Sequence, residues 1–298
     1  MVEGMEKTTE KTKTAKIHTL ICSGGGIRGV SYVGVFKRLE EQMGLEIDVK
    51  ILCAVSAGSI FGLMYILGYT ADDMMTEVMA KNFSALRDIQ LGNVLTKYGI
   101  ETGDNIISWI ETLMIRKGIS KDATFKELYE ATNIEFQVCA TNISKYTYEV
   151  FSYKSQPNMR ITKAIRISIG IPFVFTAETY SGDVYVDGGV INSYPIELFE
   201  DNLEGVLGIK LEHEDKLARN EREGLDNYIF NVINCFVIHR EKQDKKSCNS
   251  NIAKHTLRVK SGDVAHTLNF SLSRHDKTKL IQSGYNCTDA FLNSMNIN

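Results

Sequence analysis

Ser56 lies in the stretch AVSAGS, residues 54–59, with Ala54 before it and Ala57 and Gly58 after it. The apolar run VKILCAV, residues 49–55, ends there. A serine hydroxyl attacks a carbonyl only when a neighbouring base removes its proton. An apolar strand that breaks at a serine among small residues and continues as a helix has the pattern of a nucleophile elbow. The neighbours must be small because the sharp turn brings two backbones close together. The helix that follows turns its positive end towards charge developing at the serine. The usual pattern has Gly where this chain has Ala54, and alanine keeps that position small. A candidate base is Asp187, in YVDGGVINSYPI, followed by Gly188 and Gly189. It qualifies if the fold closes the 131 residues that separate it from Ser56. The same residues also read as a plain Asp-Gly turn.

A second motif, HTLICSGGGIRGV at 18–30, places Gly24, Gly26 and Gly29 at the spacing of a dinucleotide-binding loop. That fold needs an acidic residue at the end of the second strand to hold the ribose. Asp48 has roughly the right separation but precedes the run 49–55, so it stands at the wrong end. Acyl transfer needs something different, which is backbone N–H groups aimed at a tetrahedral oxyanion. Gly24, Gly25 and Gly26 carry no side chains to obstruct such donors, and Arg28 is placed to stabilise the loop or its field.

Other chemistries fit less well. A Ser…Asp…His order is formally available, since His213, His239, His255, His266 and His275 all follow Asp187. None lies in a clear strand-end loop, and His239 in NCFVIHREK falls on an expected helix. Six cysteines without C-x-x-C spacing argue against a zinc site or a disulfide scaffold and for a reducing compartment. A net charge of −3 gives no general attraction to nucleic acid. No apolar run approaches the roughly 18 residues of a spanning helix. The basic run REKQDKK at 240–246 reads as a solvated helix end, and Trp109 as a partly buried core residue rather than an interfacial anchor.

The elements that must position Ser56 and Asp187 alternate. Strands are expected at 17–22 and 49–55, with helices at 28–43 and 58–68 after them. Ile106, Ile107, Ile110, Leu113 and Met114 make the stripe of another helix. Strands at 134–143 and 146–153 are followed by a helix at 161–170 that Pro172 halts. Further strands are expected at 183–189 and 203–211, and an amphipathic helix at 227–241. The alternation implies an α/β sandwich around a mostly parallel sheet. The polar residues 1–16 read as a disordered tail, and 17–298 as one domain.

GGGIRG, AVSAGS and VDGGV in this order resemble the patatin-like phospholipases. AIRISIGIPFVF at 164–175, TFKELYEATN at 124–133 and HDKTKLIQSGYNCTDAFL at 275–292 are also similar to segments of that family, so the resemblance runs from about residue 16 to the end. It implies a three-layer α/β/α sandwich and a Ser-Asp dyad, with Ser56 as nucleophile and Asp187 as general base. The backbone of Gly24, Gly25 and Gly26, with Ile27 and Arg28, would form the oxyanion hole. Ala54, Gly58, Gly188 and Gly189 would support the two turns. The implied substrate is a phospholipid or other acyl lipid at a membrane or micelle surface, cleaved without metal or cofactor. The cysteine usage and the absence of a signal-like segment point to a cytoplasmic setting. A substrate held in a bilayer or micelle points to peripheral membrane contact, and an activating partner or delivery to another cell is compatible with both. Departures from the family pattern are Ser23 in place of a frequent aspartate, and Ala54 and Val55 before the serine. Nothing in the chain specifies an oligomeric state.

Overall fold

The computed structural model describes residues 15–90, 92–212, 232, 235, 250–260 and 270–295. β1 (Ala15–Cys22) leads through the glycine loop and a 3-10 turn (Gly26–Val30) into α1 (Ser31–Glu41). β2 (Leu45–Val55) passes through Ser56 into α2 (Ala57–Ile66). Next come α3 (Ala71–Ala80), α4 (Asn93–Lys97), β3 (Gly99–Glu101), α5 (Asp104–Arg116) and α6 (Phe125–Thr132). β4 (Glu135–Asn142) and β5 (Thr147–Phe151) form a hairpin, followed by α7 (Ile161–Ser168) and the short strand β6 (Phe173–Phe175). β7 (Glu178–Tyr180) and β8 (Asp183–Asp187) lead to the second glycine turn. β9 (Val206–Glu212), α8 (Ser250–Lys254), β10 (Thr256–Lys260) and α9 (Arg274–Ser294) complete the described chain.

Among the described residues the expected elements form, with shifted ends. β1 begins at Ala15, so Lys16 belongs to the strand rather than to a tail, and its ammonium pairs with Glu46 on β2. The helix expected from residue 28 starts with a 3-10 turn and becomes α-helical only at Ser31. α7 stops at Ser168, four residues before Pro172, because Gly170 turns its N–H back onto the Ile167 carbonyl. The helix expected at 227–241 and the basic run at 240–246 lie outside the described residues.

The main sheet has the order β10-β9-β1-β2-β4-β8-β7, with β5 also on β4. Pairings from β10 through β4 are parallel, and those of β5, β7 and β8 are antiparallel. Parallel strands are covered on both faces, so their residues are apolar in both directions. Leu20, Cys22, Leu52 and Ala54 pack into the larger core. Ile21, Cys53 and Val55, alternating with them, pack with Cys139, Tyr194 and Ile196 in a second cluster.

Strand register positions the site. β2 pairs with β4 as far as Val55 opposite Cys139, and β8 takes up β4 at the next residue, with Asp187 opposite Ala140. Cys139 and Ala140 both pair with β5 as well, so β2 and β8 share the edge of β4 that β5 leaves open. The C-terminal end of β2 therefore meets the C-terminal end of β8. Ser56 and Asp187 arrive at one point from opposite directions.

Candidate active site

β2 ends on Ser56 with φ 51° and ψ −127°, a backbone conformation that only glycine adopts without strain. Three contacts hold it there. Its N–H donates to Ser168 Oγ at 2.9 Å, and Ser168 Oγ donates to the Cys139 carbonyl at 2.7 Å. Its carbonyl accepts from the backbone N–H and the Oγ of Ser59. Behind the turn, a Cβ on Gly58 would stand 2.4 Å from the Cys22 carbonyl oxygen and 2.6 Å from that of Ser23. A side chain there would push β1 away from α2. Ala54 is fully buried in the same crowding.

Asp187 is held by its backbone N–H, which donates to the Gly170 carbonyl at 2.9 Å. Its carboxylate accepts from Ser56 Oγ at 2.6 Å and from the Gly189 N–H at 2.7 Å. Gly188 packs on β4, where a Cβ would lie 2.6 Å from the Cys139 carbonyl oxygen. Both Ser56 and Asp187 are buried. Burial pushes the Asp187 carboxyl up from 3.8 to about 7, against the opposing pull of its bonds from Ser56 and Gly189. A carboxylate poised near neutrality and bonded directly to a serine hydroxyl has the geometry and basicity of a general base.

The glycine loop faces this pair. A Cβ on Gly24 would come within 3.3 Å of Ser56 Cβ. The loop's donors are not all available, which corrects the expectation that all five residues supply them. The Gly24 N–H is committed to the Ser193 carbonyl at 2.9 Å, and the Arg28 N–H to the Gly25 carbonyl at 3.2 Å. Arg28 Nε donates to the same Gly25 oxygen, so the buried guanidinium braces the loop from within. In a trans peptide the C=O and N–H point in opposite directions. Pinning the Gly25 carbonyl on Arg28 thus turns the Gly26 N–H away from Arg28. Gly26, with φ 55°, and Ile27 line the same cavity as Ser56, at the start of the 3-10 turn where N–H groups have no partner within the helix.

That cavity, about 70 Å³, is walled by apolar side chains including Ile60, Phe61, Ile106, Trp109, Ile171 and Phe175. Trp109 is buried in its wall, as a core residue. A larger cavity of about 510 Å³ lies at the opposite end of the sheet, around His18 and Val206, away from Ser56 and Asp187.

Ser56 Oγ donates to Asp187 directly, and among the described residues no imidazole stands between the two. His255 Nδ1 lies 3.2 Å from the Val206 carbonyl oxygen, and His275 is exposed in the first turn of α9. His213, His239 and His266 lie outside the described residues. Asp48 lies within β2 and pairs with Lys50 and Lys16, seven residues before the strand's end. Among the described residues no group of three or more His, Cys, Asp or Glu could hold a metal ion. Sequence reasoning missed Ser168 and Ser193. Their roles depend on contacts across 112 and 169 residues, and neither has a distinctive local motif.

A mostly parallel sheet flanked by helices, with a serine at a strand-to-helix turn beside a glycine loop, makes an α/β sandwich. Residues 20–200 match the patatin-like phospholipase family, and the chain belongs to it. It is therefore placed among lipid ester hydrolases. It is 26% identical over 288 residues to an uncharacterized protein of Acanthamoeba polyphaga mimivirus, spanning 94% of this chain and 95% of that one. It is 32% identical over 185 residues to a protein of Invertebrate iridescent virus 6 named a probable lipid hydrolase, covering 60% of this chain and 62% of the other. Among solved structures, VipD from Legionella pneumophila superposes with a TM-score of 0.58 at 17% identity, covering 95% of this chain and 67% of that one.

Proposed function

We propose that this protein hydrolyses fatty-acyl esters of lipids, as a phospholipase A or lysophospholipase, through an acyl-enzyme on Ser56. The observation that carries the reading is the 2.6 Å bond from Ser56 Oγ to Asp187 Oδ2 beside an apolar cavity. Asp187 takes the hydroxyl proton along that bond as Oγ attacks the ester carbonyl. The tetrahedral oxyanion is met by N–H groups of Gly26 and Ile27, with Gly25 beside them, while the acyl chain lies along the apolar wall. Protonated Asp187 then gives its proton to the departing alcohol as the carbon–oxygen bond breaks. In the second half, the same carboxylate draws a proton from water as the water oxygen attacks the acyl carbonyl. The carbon–Oγ bond then breaks, Asp187 returns its proton to Ser56 Oγ, and the fatty acid leaves. A pKa near 7 suits both directions of transfer. The reaction as written uses no metal or cofactor.

The direct serine–aspartate contact favours this reading over a Ser-His-Asp esterase. The intact pair favours it over an inactive lipid-binding or nucleotide-binding protein. Buried free thiols at Cys22, Cys53 and Cys139 support a cytoplasmic setting, and the lipid substrate supports peripheral membrane contact. No described helix is long and apolar enough to cross a membrane.

The test pairs fluorophosphonate labelling with fatty-acid release from mixed phospholipid vesicles, comparing wild type with Ser56→Ala. Labelling and release in wild type, both lost in the folded variant, are expected. Folded wild type that is neither labelled nor active, under conditions where a known lipase is both, would refute the proposal.

A further inference from the structure

Beside the cavity, a small second sheet carries large apolar side chains into solvent. β3 and β6 pair in parallel, with Gly99 opposite Phe173. Tyr98 directly precedes Gly99, at the end of α4. The Ala177 N–H donates to the Lys97 carbonyl at 3.1 Å, which ties α4 to the chain just after β6. Ile89 bridges Glu101 on β3. Leu95, Tyr98, Phe173 and Ile89 thus surround one sheet, and they are 89%, 66%, 55% and 53% exposed. Lys97, also exposed, stands between Leu95 and Tyr98 in sequence.

Two of these side chains are held out by a backbone conformation that bulky residues avoid. Tyr98 has φ 61° and Phe173 has φ 66°. The helix end at Tyr98 is a position where glycine is the ordinary choice. In a regular strand, residues two apart share a face, so Phe173 would follow the buried Phe175 inwards. The left-handed turn at Phe173 breaks that alternation, and its ring stays outside. The same segment supplies Ile169, Ile171 and Phe175 to the cavity wall. Phe173 is therefore exposed between two residues, Ile171 and Phe175, that line the cavity with Ser56, and Tyr98 stands next to its strand partner Gly99.

We propose that Leu95, Tyr98 and Phe173 form a docking surface that inserts into a lipid monolayer and seats the cavity on it. The proposal rests on the lipid hydrolase reading and names the surface that would bring the substrate to the site. Aromatic rings settle at the membrane–water boundary, with the tyrosine hydroxyl kept wet, and the Lys97 ammonium is placed to meet anionic head groups. A stable protein interface needs about 20–30 residues a side, far more than this patch offers. Lipid requires no matching surface. Strain that keeps apolar rings in water has a use if those rings leave water during function.

The experiment compares the full chain with a variant carrying Leu95→Ser, Tyr98→Gly and Phe173→Gly. Glycine suits both positive φ angles, so the variant should keep its thermal midpoint or gain. Flotation with phosphatidylcholine/phosphatidylglycerol vesicles should weaken roughly tenfold or more, and vesicle hydrolysis with it, while cleavage of a soluble short-chain ester stays unchanged. Flotation equal to wild type, or wild type that never floats, overturns the proposal. A wild-type dimer in sedimentation that the variant dissolves also overturns it, because the surface then binds a second copy. If flotation falls as expected but wild type cleaves no ester in either form, the docking surface stands and the hydrolase reading fails.

Discussion

Asp187→Asn should stabilise the protein while silencing it. In the folded chain the carboxyl titrates near 7 instead of 3.8, because it is buried and its two hydrogen bonds only partly compensate. The folded state therefore binds the Asp187 proton more tightly than the unfolded state does. The resulting stability is fully present below about pH 3.8 and is lost as pH rises through about 7. The shift of about three units corresponds to on the order of 4 kcal/mol at pH 8. Asparagine resembles the protonated acid, since its oxygen can accept from the Gly189 N–H and its amide can donate to Ser56 Oγ. At about 2 °C per kcal/mol for a chain of this size, the variant should melt roughly 5–10 °C above wild type at pH 8. The two should converge near pH 4. Subtracting one melting curve series from the other removes titrations the two proteins share. The same ionisation predicts that wild-type kcat/KM on a soluble ester rises about tenfold from pH 6 to pH 8, with its midpoint near 7. A variant no more stable than wild type at pH 8, a difference that does not change with pH, or a flat rate profile through 7 would refute the reasoning.

The elbow itself supplies two further tests. Ser56→Gly and Ser56→Ala both remove the bond to Asp187, but only glycine relaxes the strained φ of 51°. Urea unfolding should find the glycine variant more stable by about 1–2 kcal/mol, and equal midpoints would show that the turn stores no strain. Ser168→Ala leaves the buried Ser56 N–H and Cys139 carbonyl without their shared partner. It should lose about 1–3 kcal/mol in the same assay and slow phosphonate labelling of Ser56, whereas unchanged stability and labelling would mean that Ser168 anchors nothing.

Much of the framework was legible in the chain because it is local. A serine among small residues would mean little alone, but AVSAGS closes the run 49–55 and opens α2 directly, so strand, turn and helix are written in consecutive residues. The stripe from Ile106 to Met114 likewise reports the buried face of α5, through a period that needs no partner to be read. Gly188 and Gly189 after Asp187 signal a strand ending in a turn. What stayed hidden depends on which strands lie side by side. That β8 takes up β4 where β2 leaves it, and so brings Asp187 to Ser56, is a matter of sheet order and register that no local pattern encodes. Ser168 was invisible because an ordinary serine gains its role only when α7 packs beside β4. The Gly24 amide looked like a donor in waiting until the chain returned at Ser193 to accept it. Sequence determined which residues have the side chains and local backbone that the proposed acyl transfer needs, because those are properties of neighbours along the chain. Tertiary structure alone decided which N–H groups stay available and how strongly Asp187 holds its proton, because hydrogen-bond partners and desolvation are set by residues far away in sequence.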